Sequence, residues 1–264
     1  MRPASARRAP LSLAANATAW IIYLLLALPS LIIIPMSFGS SDELEFPPRA
    51  LSLHLYKVYF FQSNWMAATV ESVEVATGTV VVALLLGVSA AYGLTRAEFP
   101  GKRLLAMLLL SPAFVPAIVL GLGLYLYLGV AHLGGTTAGL IISHSLVATP
   151  FVILTTMAGL RHLDRNLEVA ATVMGAGRLL VLRRVTLPLL RPTILAAALF
   201  AFLISFDEVV ISYFIAGVRT QTLPVKMYSA IHWEISPVLA AVSTLLTLLS
   251  LGICVVVALL QKDA

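Results

Sequence analysis

Long apolar runs alternate with short polar stretches along the whole chain. Six segments meet or approach the roughly 20 mostly apolar residues that an α-helix needs to cross a bilayer core. They lie at about 17–38, 69–95, 104–130, 137–160, 192–216 and 237–260. Residues 104–160 contain no Asp, Glu, Lys or Arg, and the Gly-Gly turn in HLGGTT at 132–137 divides them into two helices. The pattern predicts an all-α polytopic membrane protein with six transmembrane helices, which form a single domain over residues 1–264.

The composition supports a membrane protein over a soluble one. Hydrophobic residues make up 60% of the 264 residues and charged residues 11%, whereas a soluble domain has roughly 45–50% apolar and about 25% charged residues. The net charge of +5 does not indicate a nucleic-acid partner. The Lys and Arg residues fall between the apolar runs and form no continuous basic face.

The positions of Lys and Arg orient the spans, because these residues are enriched in cytoplasmic loops. If the N-terminus is cytoplasmic, 13 of the 17 Lys and Arg residues lie inside, and the outer loops hold Arg49, Lys57, Arg219 and Lys226. This distribution predicts that both termini are cytoplasmic. It also places the polar segment 161–191 in the cytoplasm.

Segment 161–191 has the local signals of a short helical hairpin. Asp164 can cap a helix that starts near Arg165, and Gly175 with Gly177 ends that helix in the usual manner. Small and apolar residues recur on one helical face at the spacing i, i+3, i+4, i+7, namely Leu167, Ala170, Ala171 and Met174. A second basic helical turn, 178–186, leads to the fifth span. The hairpin is too short to have its own core, so we expect it to dock into another protein.

The hairpin carries a spaced motif with the order E-x-A-A, then G-A, then L-P. It consists of Glu168, Ala170, Ala171, Gly175, Ala176, Leu187 and Pro188. The motif resembles the EAA loop of the inner-membrane permease subunits of binding-protein-dependent ABC importers. The usual form has a second acid or a directly adjacent alanine, and here Val169 stands in that place. The resemblance implies a type I ABC importer permease fold in which 161–191 is the coupling loop and these seven residues contact an ATPase.

The resemblance extends over nearly the whole chain. Residues 204–246 and the loop LTRAEFPGKR at 94–103 resemble the spermidine/putrescine-type permeases, specifically the second of their two paired subunits. The resemblance implies a multi-pass protein of the bacterial inner membrane, surrounded by lipid, that works with a second permease subunit, two ATPase subunits and an external substrate-binding protein. ATP and Mg would be bound by the ATPase, with no cofactor in this chain.

The sequence lacks the motifs of several enzyme classes. It has no G-x-x-x-x-G-K-[ST] phosphate-binding loop and no H-E-x-x-H metal site. The histidines are scattered, at His54, His132, His144, His162 and His232. Spacing alone leaves open the His/Ser pair of an intramembrane protease, although no G-x-S-x-G motif supports it. We therefore predict no catalytic residues and no metal ligands.

Two acids interrupt the fifth span, Asp207 and Glu208 in FLISFDEVV. An acid at a helix centre costs about 2.5–3.5 kcal/mol on insertion scales, so such acids are commonly functional. On a continuous helix the two side chains would point about 100° apart. We expect one of them, Asp207 in the first place, to attract the cationic groups of a passing polyamine. The alternative is a structural acid bonded to Ser205, Ser212, Tyr213 or the second permease.

Aromatic residues near the outer ends of the last two spans are further candidates for the substrate pathway. The faces of Tyr213 and Trp233 could attract ammonium groups at an outer gate. Anchoring of these rings at the membrane interface explains their positions equally well.

Four functions therefore remain open: a polyamine importer, an importer of another small polar solute such as an amino acid or opine, a proton-coupled secondary transporter, and a structural membrane partner. The hairpin favours an ATP-driven importer, because the other two classes need no surface for an ATPase.

Overall fold

The computed structural model describes residues 9–41, 43–62 and 64–262, and in these ranges every extended regular element is a helix. The α-helices are α1 Ala9–Met36, α2 His54–Lys57, α3 Trp65–Arg96, α4 Lys102–Leu110, α5 Ala117–Val130, α6 Thr137–His162, α7 Arg165–Val173, α8 Arg178–Val181, α9 Leu187–Leu189, α10 Arg191–Phe206, α11 Val210–Ile215, α12 Leu223–Ser229 and α13 Val238–Lys262. A 3₁₀ turn covers Ser111–Phe114, and π-helical turns cover Val58–Gln62, Leu182–Thr186 and Ala230–Glu234. The prediction of an all-α chain is confirmed.

Helices long enough to cross a membrane lie at the positions of the predicted spans. Within the described ranges, α3, α6 and the Ala15–Met36 part of α1 are each long and apolar enough alone. Two further candidates are bent pairs, Lys102–Phe114 with Ala117–Val130 and Arg178–Leu189 with Arg191–Phe206. In the second pair only Arg191–Phe206 lies in the predicted fifth span, because Arg178–Leu189 belongs to the segment predicted to be cytoplasmic. The sixth position is occupied by α13, which has 25 residues.

The third predicted span, 104–130, is two helices that meet at 103° rather than one continuous helix. The cause is local, because the residue before a proline avoids the α conformation and proline itself has no N–H to donate. Val115 is extended, with φ −81° and ψ 131°, and Pro116 follows with φ −53° and ψ 132°. The bend of 103° is much sharper than an ordinary proline kink.

The described residues fall into two compact units, one formed by residues up to Met66 together with those from Ser229, and the other by Ala67–Tyr228. In the first unit α1 packs against α13, and the Thr244 hydroxyl donates to the Ile33 carbonyl at 3.5 Å. The prediction of one domain over 1–264 stays a prediction.

The second unit is built on the close packing of α6 against α10. Small residues permit this approach, as is common between membrane helices. Ala148, Ala197 and Ala201 are fully buried in the contact. A Cβ added to Gly159 would come within 2.6 Å of the Thr193 side chain, so that side chain packs directly against the α6 backbone. This rigid pair leads into the hairpin at one end and into Asp207 and Glu208 at the other.

Candidate functional site

The hairpin at 161–191, called the cytoplasmic hairpin below, forms as its local signals predict. The Asp164 side chain accepts a hydrogen bond from the Asn166 amide at 2.9 Å and caps α7. Gly175 has φ +92°, and two backbone bonds close the helix end, from Gly175 to the Thr172 carbonyl at 2.9 Å and from Ala176 to the Ala171 carbonyl at 3.1 Å. This is the Schellman arrangement, which favours glycine. Gly177 has an ordinary φ of −67°, so the left-handed turn belongs to Gly175 alone.

The inner face of the cytoplasmic hairpin is held by a buried carboxylate. Glu168 is 8% exposed, and its Oε2 lies 2.9 Å from Nε of Arg96, the last residue of α3. The Thr186 hydroxyl donates to the other oxygen, Oε1, at 2.8 Å. The contact with Arg96 is an ion pair without aligned hydrogen-bond geometry, and Arg96 Nη2 is buried without a hydrogen-bond partner among the described residues. Glu168 therefore ties together α3, α7 and the turn before α9.

Several apolar side chains of the cytoplasmic hairpin are exposed. We define the hairpin apolar surface as Leu167, Val169, Val173, Met174, Leu179 and Leu180, each of which is at least 46% exposed. Val173 and Met174, directly before the Gly175 turn, reach 82%. Contiguous exposed apolar residues on a polar segment mark an interaction site. Of the charged residues at 161–191 only Glu168 is buried, and arginines such as Arg165, Arg183 and Arg184 are exposed together with the apolar side chains.

The predicted coupling residues differ in their exposure. Glu168 and Ala171 are buried, Ala170 and Gly175 are exposed, and Ala176, Leu187 and Pro188 are intermediate. Sequence reasoning missed Arg96 and Thr186, which lie far from Glu168 along the chain. A basic residue that ends a long apolar span was the available signal for Arg96.

The acids of the fifth span do not lie on a continuous helix, and that prediction was wrong. The helix α10 ends at Phe206 and α11 begins at Val210, so Asp207 and Glu208 occupy a break between them. Glu208 accepts a hydrogen bond from the Ser212 amide at 2.9 Å and caps α11 with its side chain. Asp207 is exposed, and its carboxylate has no hydrogen bond or ion pair with the described residues. The break separates the two acids by role, because one stabilises the fold and the other faces outward from it.

Residues 83–262, which include the cytoplasmic hairpin and the break, match the family described as binding-protein-dependent transport system inner membrane component. The chain belongs to this family. Among relatives, it is 30% identical over 251 residues to the spermidine/putrescine transport system permease protein PotC of Haemophilus influenzae, covering 94% of this chain and 96% of the relative. It is 32% identical over 225 residues to the putrescine transport system permease protein PotI of Escherichia coli K12, covering 83% and 80%.

A solved structure confirms the fold of this inner membrane component. The structure is that of a bacterial ABC transporter involved in the import of the acidic polysaccharide alginate, and the chains superpose with a TM-score of 0.75 over 99% of each at 16% identity. The family and the fold together confirm the predicted multi-pass location in the inner membrane and the ABC importer permease fold.

A buried polar network crosses the interior of this inner membrane component beside the break. His144 of α6 is 1% exposed. Its Nδ1 lies 2.8 Å from the Ser205 hydroxyl and its Nε2 lies 2.8 Å from the Ser212 hydroxyl. Ser205 in turn donates to the Thr79 hydroxyl at 3.3 Å, so the network joins α3, α6, α10 and α11.

The His/Ser pair that the spacing left open therefore exists, and it is built as a structural tie. Both ring nitrogens of His144 are engaged by serines, and no carboxylate among the described residues contacts the ring. A hydrolytic pair needs an accessible nucleophile, whereas Ser205 and Ser212 are 4% and 0% exposed. The adjacent residues Ser143, His144 and Ser145 in an otherwise apolar span were the available sequence signal.

The two aromatic candidates lie in different units. Tyr213 is half exposed on α11 and packs edge-to-face against Tyr228, with ring centroids 5.7 Å apart. Both rings belong to the unit that holds Asp207. Trp233 is 77% exposed and belongs to the other unit. Among the described residues, no group of three His, Cys, Asp or Glu side chains is placed to hold a metal ion.

Proposed function

We propose that this chain is a permease subunit of an ATP-driven importer. With a second permease it forms the pathway for a small cationic solute, a polyamine such as putrescine or spermidine, which an external binding protein delivers. Two separate ATPase subunits bind ATP and Mg and carry out hydrolysis, and the chain itself carries no cofactor. The similarity to two polyamine permeases over most of the chain supports this assignment.

The hairpin apolar surface is the observation that carries the ATP-driven assignment. Val173 and Met174 directly precede the Gly175 turn and are each 82% exposed on the cytoplasmic side. Leaving such groups in water is unfavourable by about 25 cal/mol per Å² of apolar surface, so a partner that covers them gains binding energy. A proton-driven carrier has no use for such a surface. A partner with an apolar cleft explains both the exposed residues and the turn that presents them.

Coupling follows from the way the cytoplasmic hairpin is attached. When ATP closes the ATPase dimer, the docked hairpin moves with it. The ion pair between Glu168 and Arg96 passes that movement to the inner end of α3, while Thr186 lies just before α10. A movement of the hairpin thereby displaces both α3 and α10, and the pathway opens alternately to the two sides of the membrane.

Asp207 is suited to meet a cationic solute. Its carboxylate is exposed and unpaired among the described residues, whereas Glu208 is already engaged as a cap. A carboxylate with no internal partner can bind an ammonium group and release it again. The half-exposed ring of Tyr213 adds an aromatic face of the kind that attracts ammonium groups.

The assignment is tested by uptake of labelled putrescine into proteoliposomes that contain this chain, the second permease, the ATPase and the binding protein. We expect uptake that requires ATP inside the proteoliposomes, where the ATPase faces, and that excess external spermidine reduces. Uptake driven by a proton gradient without ATP would establish a secondary transporter instead. ATP-dependent uptake of an amino acid or opine without uptake of diamines would keep the ATP-driven role and overturn the polyamine substrate.

A further inference from the structure

A second charged feature of the inner side lies apart from the hairpin apolar surface. A cleft of about 590 Å³ opens between the end of α3, the start of α4 and the end of α6. We call it the basic cleft, and it is lined by Leu94, Thr95, Lys102, Arg103, Ala106, Met157 and Arg161. Three of these residues are cationic, none is acidic, and the others are apolar except Thr95. Nothing in the coupling role of the chain uses it.

The fold builds the basic cleft on a rigid base. Gly101 has φ +80°, which turns the chain sharply and places Lys102 and Arg103 at the first two positions of α4. Leu94 is 5% exposed, and Ala106 and Met157 pack against the same buried cluster. The apolar wall is therefore part of the packed core. The three cations are held beside it by two helix ends, the start of α4 and the end of α6.

The charge in the basic cleft is only partly balanced. Lys102 Nζ lies 3.1 Å from Glu98 Oε1, but the Glu98 side chain is 88% exposed, and such surface pairs contribute little. Arg103 and Arg161 are exposed and have no ion-pair partner among the described residues. Two guanidinium groups thus remain available to an anion. Arginine is well suited to phosphate, because its planar fork can donate two hydrogen bonds at once.

The position of the basic cleft selects the kind of anion. Its cations lie on the cytoplasmic side, at the inner ends of helices that cross the membrane. There an anionic lipid presents a phosphate at the depth of the arginines and an acyl chain at the depth of the apolar wall. Basic pockets between transmembrane helices on the cytoplasmic side are a recurrent form of lipid headgroup site. A soluble phosphate would gain nothing from Ala106 and Met157.

We propose that the basic cleft binds the headgroup of an anionic glycerophospholipid of the inner leaflet. The phosphate lies between Arg103 and Arg161, and the first part of an acyl chain lies along Met157 and Ala106. Bound lipid bridges α4 and α6 at their inner ends. Since α6 continues directly into the cytoplasmic hairpin, the lipid steadies the helix on which the hairpin is mounted.

The test uses the assembled importer in detergent and phosphatidylglycerol as the probe, with binding followed by native mass spectrometry. Arg103→Gln combined with Arg161→Gln is compared with the unchanged chain. The control is Arg183→Gln combined with Arg184→Gln, which removes the same charge from exposed cytoplasmic positions outside the cleft. All four arginines are exposed, so we expect both double variants to fold and assemble, which size-exclusion chromatography checks.

We expect saturable binding of phosphatidylglycerol that is about 30-fold weaker in the Arg103/Arg161 variant, since each cation near an anionic lipid surface contributes substantially to attraction. The control variant should bind as the unchanged chain does, and phosphatidylcholine should not compete. Equal affinity in the Arg103/Arg161 variant, or an equal loss in the control, would overturn the proposal. Loss of the ATPase from the Arg103/Arg161 complex with unchanged lipid affinity would also overturn it and assign the cleft to the protein partner.

Discussion

The cytoplasmic hairpin and the break after α10 are both interruptions of long helices, and they are built in opposite ways. The hairpin buries a charged pair, Glu168 with Arg96, and exposes apolar side chains. The break buries a polar network around His144 and exposes an acid, Asp207. The exposed groups of the two regions are therefore of opposite kinds: apolar side chains on the hairpin and a carboxylate at the break.

The contrast indicates the partner of each region. An exposed apolar surface is best covered by another protein, because burial of apolar area is the main favourable term in association. An exposed acid beside a buried, hydrogen-bonded core is better suited to a small cation that arrives and leaves. Under the proposed function, the chain offers a lasting protein contact at the hairpin and a transient solute contact at Asp207. Glu168 is buried and paired whereas Asp207 is exposed and unpaired among the described residues, in keeping with the different roles that the sequence predicts for them.

The largest expected effect comes from breaking the buried pair of the cytoplasmic hairpin. Arg96→Gln leaves Glu168 as an uncompensated buried charge, and such a loss typically costs about 3–5 kcal/mol. The side chains of Arg96 and Glu168 are 14% and 10% exposed, so solvent screens the pair weakly. We expect a clear fall in the thermal stability of the purified complex and faster proteolysis at Arg183 and Arg184. Glu98→Gln, which removes a surface pair, is the control and should change stability by less than about 1 kcal/mol.

A double variant sharpens this prediction. If the cost of Arg96→Gln is the unpaired carboxylate, adding Glu168→Gln should restore part of the lost stability. Additive losses in the double variant would show that the two side chains act independently. That outcome would contradict the role of the pair as the tie between α3 and the hairpin.

A second prediction concerns the left-handed turn of the cytoplasmic hairpin. Gly175→Val places a β-branched residue at φ +92°, where strain of about 1–3 kcal/mol is expected although the space around it is open. We expect substrate-stimulated ATP turnover to fall by at least about tenfold, because the turn that presents Met174 changes shape. Gly177→Val adds the same side chain two residues later at φ −67°, also in open space, and should retain coupling. Equal turnover in the two variants would remove the turn from the coupling account.

The smallest effect is expected at the break. Asp207→Asn removes the exposed charge, and we expect the KM for putrescine uptake to rise about tenfold, equivalent to about 1.4 kcal/mol. Glu208→Gln removes the neighbouring charge but keeps a side-chain oxygen that can accept from the Ser212 amide. The KM of this variant should stay within about twofold of that of the unchanged chain, well below the tenfold change that corresponds to about 1.4 kcal/mol. Unchanged uptake in Asp207→Asn, with normal assembly, would leave Asp207 without a part in the pathway.

Local signals explain what the sequence predicted well. Asp164 and Gly175 act on the few residues beside them, so their effects can be read without knowledge of the fold. The apolar runs likewise locate the membrane helices, because the bilayer imposes one length on all of them. Which residues of the cytoplasmic hairpin are buried and which are exposed could be learned only from the structure, because both groups contain small or apolar residues.

Long-range contacts explain what the sequence did not predict. The break at Asp207 follows an uninterrupted apolar run. Its stability depends on the bond from Ser212 to Glu208 and on His144, which comes from another helix. The pairing of Arg96 with Glu168 joins residues separated by the whole of α4, α5 and α6. The periodicity of a single helix cannot predict such a contact, because the contact depends on which helix ends lie close together in the fold.

The most direct test of the central claim is photo-crosslinking from the hairpin apolar surface in the assembled importer. A benzophenone amino acid in place of Met174, which is 82% exposed, should form an ultraviolet-dependent adduct with an ATPase subunit. The same probe in place of Leu195, a 70% exposed residue of α10, should form none. A complex that hydrolyses ATP normally yet gives no ATPase adduct from position 174, or gives equal adducts from both positions, would contradict the claim that this surface is the ATPase contact.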